Sequence, residues 1–219
     1  MKHNKIQRRN PSVSLRVGAV LLAAGQGYRI GNRPKALLSL NGEPLLKHHL
    51  SALIQAQVDE IVVVTGFYHS KIESLIEPFS VKVVRNLNPS AGQTGSVRLG
   101  IEALKTHCDA VIMMLCDQPL VGLDEILSLI SAFERRPHGE IVIPRVDGRR
   151  GNPVILSGNA IASILAEGPD MHCRRYMDEH PETVTYFDNP NDHFITDIDT
   201  LADLTAFREK TGRSLHLPS

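Results

Sequence analysis

Residues 17–35, VGAVLLAAGQGYRIGNRPK, contain the feature that decides the fold. An apolar run ends here in a loop with three glycines, Gly25, Gly27 and Gly31, and two cations, Arg29 and Lys35. This pattern predicts a buried strand followed by a glycine-rich loop. Glycines let backbone N–H groups approach phosphate oxygens closely, and the cations add charge. Because ligands of open α/β sheets bind beyond the carboxyl ends of the strands, the stretch predicts a nucleotide site.

Strand-like and helix-like segments alternate along the rest of the chain. The predicted strands cover residues 17–23, 60–65, 81–85, 110–115, 141–144, 153–156, 183–187 and 193–198. The predicted helices cover residues 43–57, 70–76, 94–104, 123–133, 160–165, 173–179 and 201–210, the last with Thr200 as its N-cap. Apolar strands separated by helices predict parallel pairing with right-handed crossovers. The polar loop 145–152 between two short strands predicts an antiparallel pair.

We therefore expect a single three-layer, Rossmann-like α/β domain. Its central sheet should be mostly parallel, with an antiparallel addition in the second half of the chain. The domain should cover residues 15–212, between a flexible basic tail at 1–14 and a C-terminal tail at 213–219. A chain of 219 residues is long enough for one such domain with a substantial core.

Composition excludes several classes of function. Lys plus Arg and Asp plus Glu both number 24, so no net field attracts nucleic acid or an anionic membrane surface. Three cysteines without a Cys-x-x-Cys pair argue against a disulfide framework and against a structural zinc site. No apolar run approaches the roughly 20 residues that cross a bilayer. We expect a cytoplasmic protein whose partners are small molecules.

A second motif, Cys116-Asp117-Gln118-Pro119, directly follows the apolar run 110–115. A carboxylate at the carboxyl end of a central strand can hold a divalent cation beside a bound phosphate. Mg²⁺ prefers a few carboxylates, substrate phosphate oxygens and water. Near the C-terminus, Asp197 and Asp199 would share one face of a strand, where two carboxylates repel each other unless a cation lies between them.

In this order and spacing, the motifs resemble the nucleotidyltransferases of the molybdenum-cofactor type, and more closely their cytidylyltransferase branch. Leu22-Ala23-Ala24-Gly25 is similar to the opening of that branch, whereas the guanylyltransferase branch usually has Leu-Ala-Gly-Gly. Other similar segments are Asn88-Pro89 to Ser96, Asp117-Gln118-Pro119, Gly151-Asn152-Pro153-Val154 and Asp197–Thr200. The resemblance covers about residues 16–208, and it implies that the α/β domain is of the nucleotide-diphospho-sugar transferase type.

The resemblance implies a role for each matching residue. Arg29, Lys35 and Asp117 would be catalytic, and Asp117, Asp199 and Asp197 would bind Mg²⁺. The nucleotide would contact Leu22, Ala23, Ala24, Gly25, Gly27, Gly31, Lys35, Thr65, Gly66, Asn88, Gly92, Ser96 and Asp117. The acceptor would contact Asn152, Pro153, Asp170, His172 and Arg174.

The implied reaction is transfer of CMP from CTP to the phosphate of molybdenum-molybdopterin, with release of pyrophosphate. It would allow a molybdenum hydroxylase as the client enzyme. The sequence departs from the family at Tyr28, where Ser or Thr is usual, and at His172-Cys173, where the acceptor motif has Gly-Ala. These departures keep another nucleoside triphosphate or another small phosphorylated acceptor open.

Two alternatives come from other classes of function. The spacing Gly25-x-Gly27-x-x-x-Gly31 is a variant of the dinucleotide fingerprint and would suit an NADP-dependent oxidoreductase. That fingerprint should lead directly into a helix, whereas Pro34 follows here. The other alternative is a protein that binds or inserts the molybdenum cofactor without turnover.

Overall fold

The computed structural model describes residues 15–104 and 108–218. The basic tail predicted at residues 1–14 lies outside the described residues. No described helix is both long and apolar enough to cross a membrane.

A mixed sheet of eight strands forms the centre of the molecule. Its strands are β1 (Val17–Ala23), β4 (Glu60–Thr65), β5 (Lys82–Arg85), β6 (Ala110–Leu115), β7 (Ile141–Val146), β8 (Arg149–Arg150), β9 (Val154–Ser157) and β10 (Val184–Asp188). The strand order is β10-β7-β9-β6-β1-β4-β5, with β8 paired to β7. Strand β1 is parallel to β4 and β6, while β9 is antiparallel to both β6 and β7. The predicted sheet, parallel with an antiparallel addition in the second half, is confirmed.

Alternate residues of β1 contribute to two separate hydrophobic cores, one on each face of the sheet. Ala19 and Leu21 pack in the core that includes helices α1 (Leu45–Gln55), α2 (His69–Ile76) and α4 (Leu123–Glu134). Val20 packs in the core that includes α3 (Gln93–Ala103), α5 (Gly158–Ala166) and α6 (Cys173–Glu179). Successive side chains of a strand point to opposite faces, so an apolar run such as β1 must be covered on both. The sheet and the helices on its two faces form the predicted three layers.

A small second sheet lies beside the main one and includes the C-terminal segment. Strands β2 (Ser39–Leu40), β3 (Glu43–Pro44) and β11 (Leu215–His216) pair antiparallel. Leu215 packs with Ile30 and Phe207 in a third core cluster, and Phe207 comes from helix α7 (Leu201–Thr211). Thus a strand lies within residues 213–219, which we expected to be a tail.

Two predictions for the last third of the chain had different outcomes. Thr200 caps α7 as predicted, since its hydroxyl accepts from the Asp203 amide and the Asp203 carboxylate accepts in return. The strand predicted at 193–198 is wrong, because Asp192–Ile195 is a short 3₁₀ helix and an irregular segment follows. The reason is local: the Asn191 side chain caps this turn, and Thr196 bonds back to the Asp192 carbonyl.

Candidate active site

Contacts at both ends fix the conformation of the loop after β1. The Tyr68 hydroxyl donates to the carbonyls of Gln26 and Asn32, and Ile30 is fully buried in the third core cluster. Gly27 has a φ of 66°, and a Cβ there would lie 1.8 Å from the Arg33 carbonyl oxygen. Only glycine therefore fits that position. Gly27 is therefore explained by the backbone geometry of the loop.

Not every amide of this loop is free to bind phosphate. The amides of Ile30 and Arg33 donate to the Gly27 carbonyl, and the Gly31 amide donates to Tyr28. Gly31 also lies outside the lining of the cleft described below. Its contribution is therefore to the turn, and the amides of residues 25–29 are the ones that can face an anion.

Lys35 is the centre of a charged cluster drawn from three distant parts of the sequence. Its ammonium lies 3.0 Å from Asp117 Oδ2 and also bonds Asp199. Arg29 pairs with the same Asp199 oxygen at 2.8 Å. The predicted catalytic residues Arg29, Lys35 and Asp117 and the predicted metal ligand Asp199 therefore lie together.

Burial and charge shift the pKa values of this cluster in opposite directions. Burial raises the pKa of Asp117 above its usual range, although Lys35 acts against this shift. Burial would also raise the pKa of Asp199, but Lys35 and Arg29 hold it below the usual range. Despite partial burial, Asp117 and Asp199 raise the pKa of Lys35. The ammonium is thus firmly charged at neutral pH.

Asp197 is the least neutralised member of the cluster. It forms no ion pair with any residue that the structure describes. Burial, with Asp117 and Asp199 nearby, raises its pKa. Among the described ion pairs, Lys35 and Arg29 neutralise Asp117 and Asp199 and leave Asp197 unpaired. The excess negative charge favours a further cation.

The donor set suits Mg²⁺. All three candidate ligands are hard carboxylate oxygens, and Asp117 Oδ1 is buried without a hydrogen-bond partner among the described residues. The Lys35 ammonium holds Asp117 and Asp199 in the present arrangement. Mg²⁺ would share these carboxylates with phosphate oxygens and water rather than enter a closed protein cage.

A cleft of about 730 Å³ joins the loop to the charged cluster. Of the predicted nucleotide-binding and metal residues, its lining includes Leu22, Ala23, Ala24, Gly25, Gly27, Lys35, Gly92, Ser96, Asp117, Asp197 and Asp199. Arg29 lines it as well. Lys35 and Asp117 therefore share one cleft, as a common role requires.

Besides Gly31, three predicted nucleotide contacts do not line this cleft but lie behind its wall. The Thr65 hydroxyl, which is fully buried, donates to Glu73. Gly66 packs so closely on Ala24 that a Cβ would lie 2.7 Å from the Ala24 carbonyl oxygen. The Asn88 amide donates to the Asn86 side chain, which in turn donates to Ser96 at 2.9 Å. These residues pack behind the residues that line the cleft and hold them in position.

A second cavity of about 350 Å³ adjoins the cleft, since Leu22, Gln93, Leu115 and Arg174 line both. Its wall contains Asn152, His172 and Arg174, three of the five predicted acceptor residues. Its remaining lining is mainly apolar and includes Val97, Met113, Val154, Cys173 and Met177. Pro153 is buried and Asp170 is exposed, and neither lines either cavity.

His172 has a structural role at the entrance to this cavity. Its Nδ1 accepts from the Arg175 amide at 3.2 Å and caps α6. The proton of the neutral ring is then on Nε2, which leaves one donor for a ligand. Its backbone is extended, with a φ of −131°, so a histidine fits this position without strain.

The comparison with protein-family models is decisive for the class of protein. The model described as "MobA-like NTP transferase domain" matches residues 19–184. The chain belongs to the MobA-like NTP transferase family. The family is described as one of NTP transferases, and the predicted family resemblance is confirmed.

Two curated relatives of this MobA-like chain have names from different classes of enzyme. A molybdenum cofactor guanylyltransferase of Shewanella putrefaciens is 27% identical over 187 residues, or 81% of this chain and 89% of the relative. A nicotine blue oxidoreductase of Paenarthrobacter nicotinovorans is 28% identical over 200 residues, or 86% of this chain and 94% of the relative.

Among solved structures, a nucleotidyl transferase from Methanothermobacter thermautotroptrophicus has the same fold, with a TM-score of 0.72 and 24% identity. The likeness covers 89% of this MobA-like chain and 97% of the other. The predicted fold class is therefore confirmed.

Sequence reasoning missed several residues of the MobA-like site. Gln93, at the start of α3, lines both cavities, and Phe67 lines the cleft just after β4. Asn86 directly follows β5 and supports Ser96. Only their positions in the sequence could have indicated these residues. Phe67 and Asn86 lie just beyond the carboxyl ends of strands, and Gln93 lies at a helix start that faces the same edge of the sheet.

Proposed function

We propose that the protein transfers a nucleotidyl group from a nucleoside triphosphate, CTP in the first instance, to a phosphate on a small acceptor, and releases pyrophosphate. The observation that carries the proposal is the shared cleft. It contains the glycine loop, Lys35 and the Asp117 cluster, and it adjoins a second cavity through Arg174. The triphosphate would bind in the cleft, and the acceptor would bind in the second cavity.

In this proposal the protein mainly positions its substrates and neutralises charge. The amides of residues 25–29 and the Arg29 guanidinium bind the outer phosphates and stabilise the departing pyrophosphate. Lys35 leaves Asp199 to contact the α-phosphate and the attacking oxygen. Arg174, at the junction of the two cavities, orients the acceptor phosphate. Each of these contacts strengthens as negative charge develops in the transition state.

Mg²⁺ would be held by Asp117, Asp199 and Asp197, and it would supply charge neutralisation at the phosphate oxygens. The acceptor we propose is molybdenum-molybdopterin, with a molybdenum hydroxylase as the client enzyme. Asn152, His172 and Arg174 would contact it in the second cavity. Leu22, Ala23 and Ala24 would lie against the nucleobase, together with Gly92 and Ser96.

The choice of CTP rests on Ala24, which lines the cleft where a glycine would leave more room for a purine. The relatives named guanylyltransferase favour GTP instead. Pyrophosphate release should therefore be measured with CTP, GTP, ATP and UTP, each with and without molybdenum-loaded pterin and with and without Mg²⁺. We expect release that needs both acceptor and Mg²⁺ and is fastest with CTP. An equal or faster rate with GTP would reject the choice of base but not the reaction class.

A second candidate is an NADP-dependent oxidoreductase, which the similarity to nicotine blue oxidoreductase favours. This function predicts a thermal shift with NADPH and none with Mg-CTP. The transferase predicts the reverse. A cofactor-binding protein without turnover would bind molybdenum-loaded pterin and release no pyrophosphate with any nucleotide.

A further inference from the structure

Asp197 and Asp199 lie on an irregular segment that side chains of other elements hold in place. We call residues 189–200 the carboxylate segment. Gln118 donates to the Phe194 carbonyl at 2.9 Å, and the Ile198 amide donates to the Asp117 carbonyl at 2.9 Å. These bonds attach the middle and end of the segment to the loop after β6. Its beginning is bonded to β7 by the Asn189 amide, which donates to the Arg145 carbonyl at 3.0 Å, and Asp192 pairs with Lys210 at 2.6 Å. A further attachment joins it to α4.

Glu125, in the first turn of α4, provides that attachment. It is only 6% exposed. Its Oε2 accepts from the Gly122 amide at 2.9 Å, and its Oε1 accepts from Asn191 Nδ2 and from His193 Nδ1, both at 2.8 Å. One carboxylate therefore joins the start of α4 to the start of the carboxylate segment.

Capping of α4 does not by itself account for this arrangement. A cap needs one oxygen and works without full burial, as the half-buried Thr200 and Asp203 do at α7. Burying a carboxylate is costly unless its oxygens are satisfied. Burial would raise the pKa of Glu125, but the Gly122 amide, His193 and Asn191 hold it below the usual range. The buried carboxylate is satisfied only when the segment is docked.

We infer that Glu125 is a positioning residue that docks the carboxylate segment onto α4 and so sets the separation of Asp197 and Asp199 from Asp117. The loop from Asp117 leads directly into α4, so Glu125 fixes both sets of carboxylates to one helix start. The consequence for metal binding rests on the proposed function, whereas the docking does not.

The variants Glu125→Ala and Glu125→Gln test the inference, with Asp124→Asn as the matched control. Asp124 is exposed in the same helical turn, so its variant changes the same charge near the same helix end. Glutamine keeps the size of Glu125 but has one acceptor oxygen in place of two. It should therefore have a milder effect than alanine, and it serves as the folded variant if alanine lowers expression.

Hydrogen exchange of the amides in residues 192–199 is the first measurement. We expect exchange to accelerate about tenfold or more in Glu125→Ala and less in Glu125→Gln, while β4 stays protected and Asp124→Asn matches the wild type. Wild-type exchange over 192–199 in both Glu125 variants would overturn the inference, whatever their activity.

Binding of Mn²⁺, measured by the paramagnetic resonance of free Mn²⁺ in the presence of a non-hydrolysable CTP analogue, is the second measurement. We expect weaker Mn²⁺ binding in both Glu125 variants, and a turnover that recovers at high Mg²⁺. If the wild type releases no pyrophosphate with any nucleotide, the proposed function fails while hydrogen exchange still decides the docking. An active wild type whose Glu125 variants bind Mn²⁺ normally would contradict the link from docking to metal binding.

Discussion

The Lys35 ammonium lies 3.0 Å from Asp117 Oδ2, although the two residues are 82 positions apart in the sequence. Lys35 follows the glycine loop after β1, and Asp117 follows β6, the strand beside β1 in the sheet. Because the two strands are parallel, their carboxyl ends meet at one edge. The fold thereby brings the proposed phosphate-binding cation and the proposed metal-binding carboxylate to the same point.

Replacing Lys35 by alanine should lower turnover by about two or more orders of magnitude, the scale expected when a group that stabilises transition-state charge is lost. The measurement is pyrophosphate release under saturating nucleotide. Lys47→Ala, on a half-buried face of α1, is the control and should keep the wild-type rate. A near-normal rate in Lys35→Ala would exclude the proposed role of this ammonium.

Asp117→Asn should separate function from stability. Turnover should fall about a hundredfold or more, because the amide is a poor metal ligand. The free energy of unfolding should stay the same or rise, since burial raises the pKa of Asp117 and its Oδ1 has no described hydrogen-bond partner. Pyrophosphate release measures the turnover, and urea unfolding measures the free energy of unfolding. A less stable but fully active variant would give Asp117 a structural role instead.

Tyr28→Ser should change substrate binding while the fold is unaffected. The Tyr28 ring is 74% exposed and lines the cleft, in a short turn between two glycines with left-handed backbone. A planar ring at that edge can stack on a substrate ring, which is worth about 1–3 kcal/mol for a nucleobase. We expect KM for the nucleotide or the acceptor to rise about fivefold or more, with little change in kcat. Unchanged KM values for both substrates would refute the contact.

His49 should make the protein lose stability in mild acid. Burial, with the neighbouring His48 ring, lowers the pKa of His49 from 6.5 to about 3. The unfolded chain therefore takes up a proton as the pH falls below 6.5, while the folded chain does not until about pH 3. On this account, the free energy of unfolding is about 2 kcal/mol lower at pH 5 than at pH 7.

The variants His49→Leu and His216→Leu provide the check. The exposed His216 is the control and should keep the acid sensitivity of the wild type. His49→Leu should flatten the fall in unfolding free energy between pH 7 and pH 5, measured by urea titration. An equally steep fall in both variants would mean that His49 is not the group responsible.

The main sheet could be predicted because its strands are short apolar runs separated by helical segments. Such a run as β1 must be buried on both faces, and this requirement alone leads to layered helices. The segment at 193–198 misled the prediction because it is rich in aromatic and β-branched residues, which are typical of strands. Besides the local cap from Asn191, its conformation is decided by long-range bonds from Gln118 and Glu125, which no local pattern reveals.

The candidate site was predictable where it depends on the ends of strands. Lys35 and Asp117 follow predicted parallel strands, so their meeting in one cleft follows from topology. The roles of Gly31, Thr65 and Asn88 were harder to predict, because a residue at a cleft and one that supports its wall have the same position in the sequence. Distinguishing them requires the hydrogen bonds that each one makes.

A crystal structure with Mg²⁺ and a non-hydrolysable CTP analogue tests the central claim most directly. The account predicts the triphosphate in the 730 Å³ cleft, with its outer phosphates at the amides of residues 25–29. It also predicts Mg²⁺ on Asp117 and Asp199, and Lys35 turned from Asp199 towards the α-phosphate. A triphosphate bound elsewhere, or a metal that Asp117 does not ligate, would contradict it.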